Sequence, residues 1–130
     1  MASIFSKIIA GEIPCYKISE NDDFIAFLDV FPLKKGHTLV VPKKEVDYIF
    51  DLDHETYSGL MLYSKKVAIA IKQAIPCNRI AVNVFGLEVP HAHIHLIPMN
   101  TMNDVNFANE KLNLSKDEFE QIAFEIRKYI

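Results

Sequence analysis

Three of the chain's five histidines are His91, His93 and His95, in the string Pro90-His91-Ala92-His93-Ile94-His95-Leu96-Ile97-Pro98. A β-strand sends alternate side chains to opposite faces. In a strand this spacing would turn all three imidazoles to one side, and Ala92, Ile94 and Leu96 to the other, toward a core. Same-face neighbours stand about 6.6 Å apart along a strand, so one substrate can touch more than one ring. A single strand histidine is ordinarily structural; three in strict alternation among apolar residues point to chemistry. Two chemistries use such a set. Neutral imidazoles can hold Zn²⁺ and leave a position open for catalysis. Alternatively, one imidazole attacks phosphorus while its neighbours bind the phosphate oxygens.

The rest of the chain supplies elements that can position these rings. Ile4, Phe5, Ile8 and Ile9 after Ser3 predict a short helix stopped by Gly11 and Pro14. Strands are predicted over Tyr16 to Ser19, Phe24 to Asp29 and Thr38 to Val41, the first two joined by an Asn21-Asp22-Asp23 turn. A long helix is predicted from Asp53 as N-cap to before Pro76, with Tyr57, Leu60, Met61, Ser64, Val67, Ala68, Ile71 and Ile75 on one stripe. Two further strands, Arg79 to Phe85 and His91 to Pro98, precede a polar loop from Asn100 to Asn113. A last helix opens with a capping box of Ser115 and Glu118 and a staple of Leu114 on Phe119. Its apolar face reads Phe119, Ile122, Ala123, Ile126 and Ile130. The pattern predicts an α+β fold with a mostly antiparallel sheet.

Composition narrows the function classes. The chain has 130 residues, 50% of them hydrophobic, which suits one domain with a real core and excludes wholesale disorder. Fourteen basic against seventeen acidic residues give a net charge of −3. That argues against a nucleic-acid-binding surface but leaves room for a pocket that holds one phosphate. No apolar stretch reaches the roughly 18–20 residues of a spanning helix, so no membrane association is expected. Cys15 and Cys77 form no C-x-x-C motif, and two lone thiols without an export signal fit a reducing, cytoplasmic setting.

His91 to Ile97 resembles the His-φ-His-φ-His-φ-φ signature of the histidine-triad superfamily of nucleotide hydrolases and transferases. Ile4-Phe5-Ser6-Lys7-Ile8-Ile9 with Glu12-Ile13-Pro14, Phe27-Leu28-Asp29, and Gly36-His37-Thr38-Leu39-Val40-Val41-Pro42-Lys43 are similar to its nucleotide-binding-protein branch, in order and in separation. The resemblance implies one domain over residues 1–130, with the motif-bearing core at about 4–98 and a loop and helix at about 100–130. It implies a five-stranded antiparallel sheet with a long helix and a C-terminal helix, in a homodimer. It also implies a purine nucleotide such as AMP or GMP as ligand, and attack on its α-phosphorus through a covalent nucleotidyl-histidine.

Residue by residue, His93 matches the family nucleophile, His91 and His95 its flanking partners, and His37 the upstream fourth histidine. Asp29 matches the carboxylate that binds the ribose hydroxyls, and Asn83 an asparagine facing the phosphate. Ile4, Phe5, Ile8, Phe27 and Leu39 match the apolar slot for the purine. One stretch departs from the pattern. Relatives carry a Gly-rich loop ending Gly-Gln-Ser/Thr-Val before the triad, whereas this chain has the shorter Val84-Phe85-Gly86-Leu87-Glu88-Val89-Pro90. Leu87 stands in place of the glutamine and Glu88 in place of the leaving-group hydroxyl. A carboxylate there repels phosphate when ionised, or serves as a general acid if burial raises its pKa. The alternative function is therefore a nucleotide-binding module with little turnover. Some relatives hold zinc through N-terminal cysteines; Ser6 stands at one such position, so neither a metal nor another cofactor is expected.

Overall fold

The structure is a computed structural model that describes residues 2–130. Ser3 caps the first helix, α1 (Ile4–Ile9), by accepting the Ser6 N–H at its hydroxyl. Gly11, at φ +80°, takes the left-handed conformation that ends the helix. β1 (Lys17–Glu20) and β2 (Phe24–Leu28) form the expected hairpin. Its turn is held by Asn21 Oδ1, which accepts the N–H groups of Asp23 and Phe24. β3 (Thr38–Pro42), β4 (Arg79–Asn83) and β5 (Ile94–Met99) complete one antiparallel sheet in the order β1-β2-β3-β5-β4.

The long helix α2 (His54–Ala74) starts at its Asp53 cap, and α3 (Lys116–Arg127) starts at the Ser115–Glu118 capping box. Both pack on one face of the sheet. Leu60, Val67 and Ile71 of α2 and Phe119, Ala123 and Ile126 of α3 bury Ala26, Leu28, Val40, Ile94 and Leu96. The alternate residues Ile25, Phe27, Leu39 and Val41 point to the other face and pack with Phe5 of α1. Every residue of β2 and β3 is therefore buried, which explains their unbroken apolar runs.

Three sequence expectations need correction. The strand predicted from His91 begins only at Ile94, because Ala92 gives its N–H to the Val46 carbonyl and His91 to that of Val89. β4 ends at Asn83, its last residue paired with β5, and Phe85 turns toward Phe107 instead of extending the strand. Tyr63 of α2 is buried and donates its hydroxyl to Ser19 Oγ at 2.6 Å. Met61 is exposed rather than on the buried stripe. Short 3₁₀ turns at Ile49–Asp51 and Met102–Val105 replace stretches without predicted structure.

Candidate active site

On the α1 side of the sheet lies a cavity of about 480 Å³, within the range of small-molecule sites. The pleat explains its lining. Leu39 pairs with His95 across β3 and β5, so both point to the face that Phe27 shares. Ile4, Phe5 and Ile8 project from α1 and close the apolar end together with Phe27 and Leu39. Asp29, Glu88, His93 and His95 supply its polar groups. His37, His91 and Asn83 lie behind this lining rather than on it. A more open groove of about 1050 Å³ runs between β1 and α3, but its walls hold no histidine among the described residues.

Hydrogen bonds to the backbone fix where each imidazole carries its proton. His37 Nδ1 accepts the Leu33 N–H at 3.0 Å, so the proton of neutral His37 sits on Nε2. That Nε2–H donates to His95 Nδ1 at 2.9 Å, which leaves the His95 proton on its own Nε2. His93 donates Nδ1–H to the His91 carbonyl at 2.7 Å, so its Nε2 keeps a free lone pair. The nitrogens left for a ligand are thus one acceptor, His93 Nε2, and one donor, His95 Nε2–H, on rings 5.0 Å apart.

His91 does not line the cavity. Its Nε2–H donates to the Pro42 carbonyl at 2.7 Å and its Nδ1 accepts the Ser3 hydroxyl at 2.7 Å. Glu45 completes this clasp, accepting the Ser3 N–H and the Ser6 hydroxyl, both at 2.6 Å. Those two bonds hold its carboxyl down to about 2. The clasp ties α1, and with it the apolar end of the cavity, to the residue whose carbonyl orients His93.

Burial governs the protonation of the other groups. It is the first cause that pushes His37 down to about 3 and His95 down to about 4, with neighbouring imidazoles acting the same way. It also lowers His93, against an opposing pull from the His91 carbonyl. All three rings are therefore neutral at pH 7. Burial pushes Asp29 up to about 6; the Phe31 N–H, donated at 2.9 Å, acts against this and the Glu88 charge adds to it. Glu88 is exposed, without the burial that a general-acid role called for.

Ligand atoms of Asp29, His37 and His95 lie within 4.8 Å of one another, a grouping that can suit a metal ion. The Leu33 N–H on His37 Nδ1 opposes it, because metal on Nε2 would require the imidazolate. The zinc set of His91, His93 and His95 is not available, since both nitrogens of His91 are engaged. Nor do the N-terminal residues fit the zinc held by some relatives. Ser6 gives its hydroxyl proton to Glu45, and a neutral hydroxyl is no substitute for a thiolate.

Two residues missed in the sequence come from the polar loop after β5. Phe107 lines the cavity and meets His95, His37 and Phe85 at ring distances of 5.1, 6.0 and 4.7 Å. Lys111 holds that loop by donating to the carbonyls of Phe107 and Asn109 at 2.6 and 3.1 Å. A lone aromatic within a polar stretch was the available signal for Phe107.

Comparison with known proteins matches a HIT domain model to residues 10–102. An uncharacterized HIT-like protein of Borreliella burgdorferi is 34% identical over 131 residues, covering 95% of this chain and 94% of that one. The adenosine 5'-monophosphoramidase of Schizosaccharomyces pombe is 37% identical over 102 residues, covering 75% and 74%. In structure, a HIT-like protein of Bartonella henselae superimposes with a TM-score of 0.85 at 34% identity, over 98% of this chain and 96% of that one. With a HIT domain model matched over residues 10–102 and a relative 34% identical over 95% of its length, the chain belongs to the HIT-domain family.

Proposed function

We propose that the protein is a purine-nucleotide phosphoramidate hydrolase that works through a covalent nucleotidyl-His93. The observation that carries this reading is the His93 Nδ1–H bond to the His91 carbonyl, which keeps the Nε2 lone pair free in a cavity lined by apolar residues together with Asp29, Glu88 and His95. The name of the Schizosaccharomyces pombe relative, and that of a Saccharomyces cerevisiae relative called adenosine 5'-monophosphoramidase, 37% identical over 100 residues, support the substrate class.

The purine lies against Phe5, Phe27 and the aliphatic residues beside them, and Asp29 accepts from the ribose hydroxyls. His95 Nε2–H donates to a phosphate oxygen. Asn83, paired with His95 across β4 and β5, lies behind this polar end, its Oδ1 buried without a partner. The His93 lone pair forms an N–P bond as the P–N bond to the leaving amine breaks. The amine departs with that electron pair and takes a proton from solvent. Water then attacks phosphorus and gives a proton to solvent, the His93–P bond breaks, and its electron pair returns to Nε2. Dividing one hard displacement into two accounts for the catalysis.

We place this enzyme in the cytoplasm, on its two unpaired cysteines. We also propose a homodimer, on the apolar surface of Val82 and Val84 at the β4 edge and of Met61, Leu62 and Ile69 on α2. The test of function is turnover of adenosine 5'-phosphoramidate by the parent protein and by His93→Ala. The variant should lose roughly a thousandfold or more in rate while still binding AMP. A variant that keeps more than about a tenth of the parent rate would end the nucleophile assignment. A parent that binds AMP without turnover would be a nucleotide-binding module instead.

A further inference from the structure

The charges around the cavity bear on what the phosphate is attached to. Two carboxylates, Asp29 and Glu88, line it beside the neutral imidazoles, and among the described residues no Lys or Arg does. Lys111, nearby in the loop after β5, is engaged with two backbone carbonyls and stands over the Phe107 ring. Glu88 lies between the two ends of the site in its influence: its charge raises the proton affinity of Asp29 and of His93 alike. Sites that hold polyphosphate chains surround them with Lys, Arg, metal ions or a run of backbone N–H groups. Here the loop before the triad offers Leu87, which is 93% exposed, and an anion.

Building on the phosphoramidase reading, we propose that Glu88 selects the leaving group by charge, so that the substrates are nucleoside 5'-phosphoramidates of neutral or cationic amines and anionic leaving groups are rejected. The chemistry of departure favours this selection. When the P–N bond breaks, the nitrogen carries off the electron pair and leaves as a neutral amine after gaining one proton; a second proton from solvent makes it an ammonium beside a carboxylate. A phosphoanhydride instead releases an anion into the same negative field. Each unit of leaving-group charge, at several ångströms in a partly solvated site, changes kcat/KM about three- to tenfold.

The test compares three adenosine 5'-phosphoramidates, of a diamine with a free ammonium, of a neutral amine and of a carboxylate-bearing amine, at low salt. In the parent protein kcat/KM should fall in that order over at least about tenfold. Glu88→Gln should compress the spread to within about threefold, and Glu88→Lys should reverse the order. High salt should compress the parent's spread as well. An unchanged spread in Glu88→Gln, or no charge preference in the parent, would overturn the proposal. A second arm measures binding of AMP, ADP and ATP without turnover. The parent should bind them progressively more weakly, and Glu88→Gln should flatten the series. If none of the three amidates turns over, the phosphoramidase reading fails, and the nucleotide series still decides for or against the charge selection.

Discussion

At the scale of single residues, two backbone groups set the chemistry of two side chains. The Leu33 N–H fixes the His37 proton, and through it makes His95 a donor. The His91 carbonyl makes His93 an acceptor. Two imidazoles 5.0 Å apart thus present opposite hydrogen-bonding faces to one ligand. Asp29 has a different task, because an ionised carboxylate can accept from both hydroxyls of a ribose. Asp29→Ala should weaken ribonucleotide binding by about 1.5–3 kcal/mol and weaken 2'-deoxynucleotide binding less. Titration calorimetry with AMP and its 2'-deoxy analogue checks this, and equal losses for both sugars would make Asp29 a structural residue. Since burial holds Asp29 up at about 6, ribonucleotide affinity in the parent should also fall as pH drops below that value.

At the scale of elements, the sequence showed most clearly what local chemistry specifies. Asp53 and Ser115 mark their helix starts, Asn21 its turn, and alternation separates Phe27 and Leu39 from Leu28 and Val40. What it did not show depends on contacts between segments far apart. His91 leaves the strand because Ser3 and Pro42, each distant in sequence, take its two nitrogens. Tyr63 is drawn inward by Ser19. Phe107 sits in a stretch with no periodicity, and only its packing on His37, His95 and Phe85 makes it part of the site. The loop after β5 therefore contributes one wall of the site, through Phe107. Phe107→Ala should expose His95 and let its pKa rise from about 4 toward the ordinary histidine value. An NMR titration of the His95 ring should show this rise, and an unmoved titration would show that Phe107 does not shield the ring.

At the scale of the whole molecule, the buried imidazoles make stability depend on pH. His37 and His95 are held at about 3 and about 4 when folded and lie near 6.5 when unfolded. Between pH 4 and 6 the unfolded chain therefore binds about two more protons at these sites. Asp29, raised to about 6, binds about one more proton when folded and acts in the opposite sense. His93, also lowered, adds to the histidine side. The net of at least about one proton makes stability rise by at least ~1.4 kcal/mol per pH unit across that window. The stability is present above pH 6.5 and lost as pH falls; urea unfolding from pH 4.5 to 7 measures it, and a flat profile would contradict the buried neutral imidazoles. The overall reaction tests the central claim, a covalent nucleotidyl-His93, through the configuration at phosphorus. The measurement is hydrolysis of a chiral adenosine 5'-phosphorothioate amidate in isotopically labelled water, with the product's configuration determined. Two successive in-line displacements, by His93 and then by water, predict net retention. Net inversion would mean that water attacks phosphorus directly, and would contradict the account.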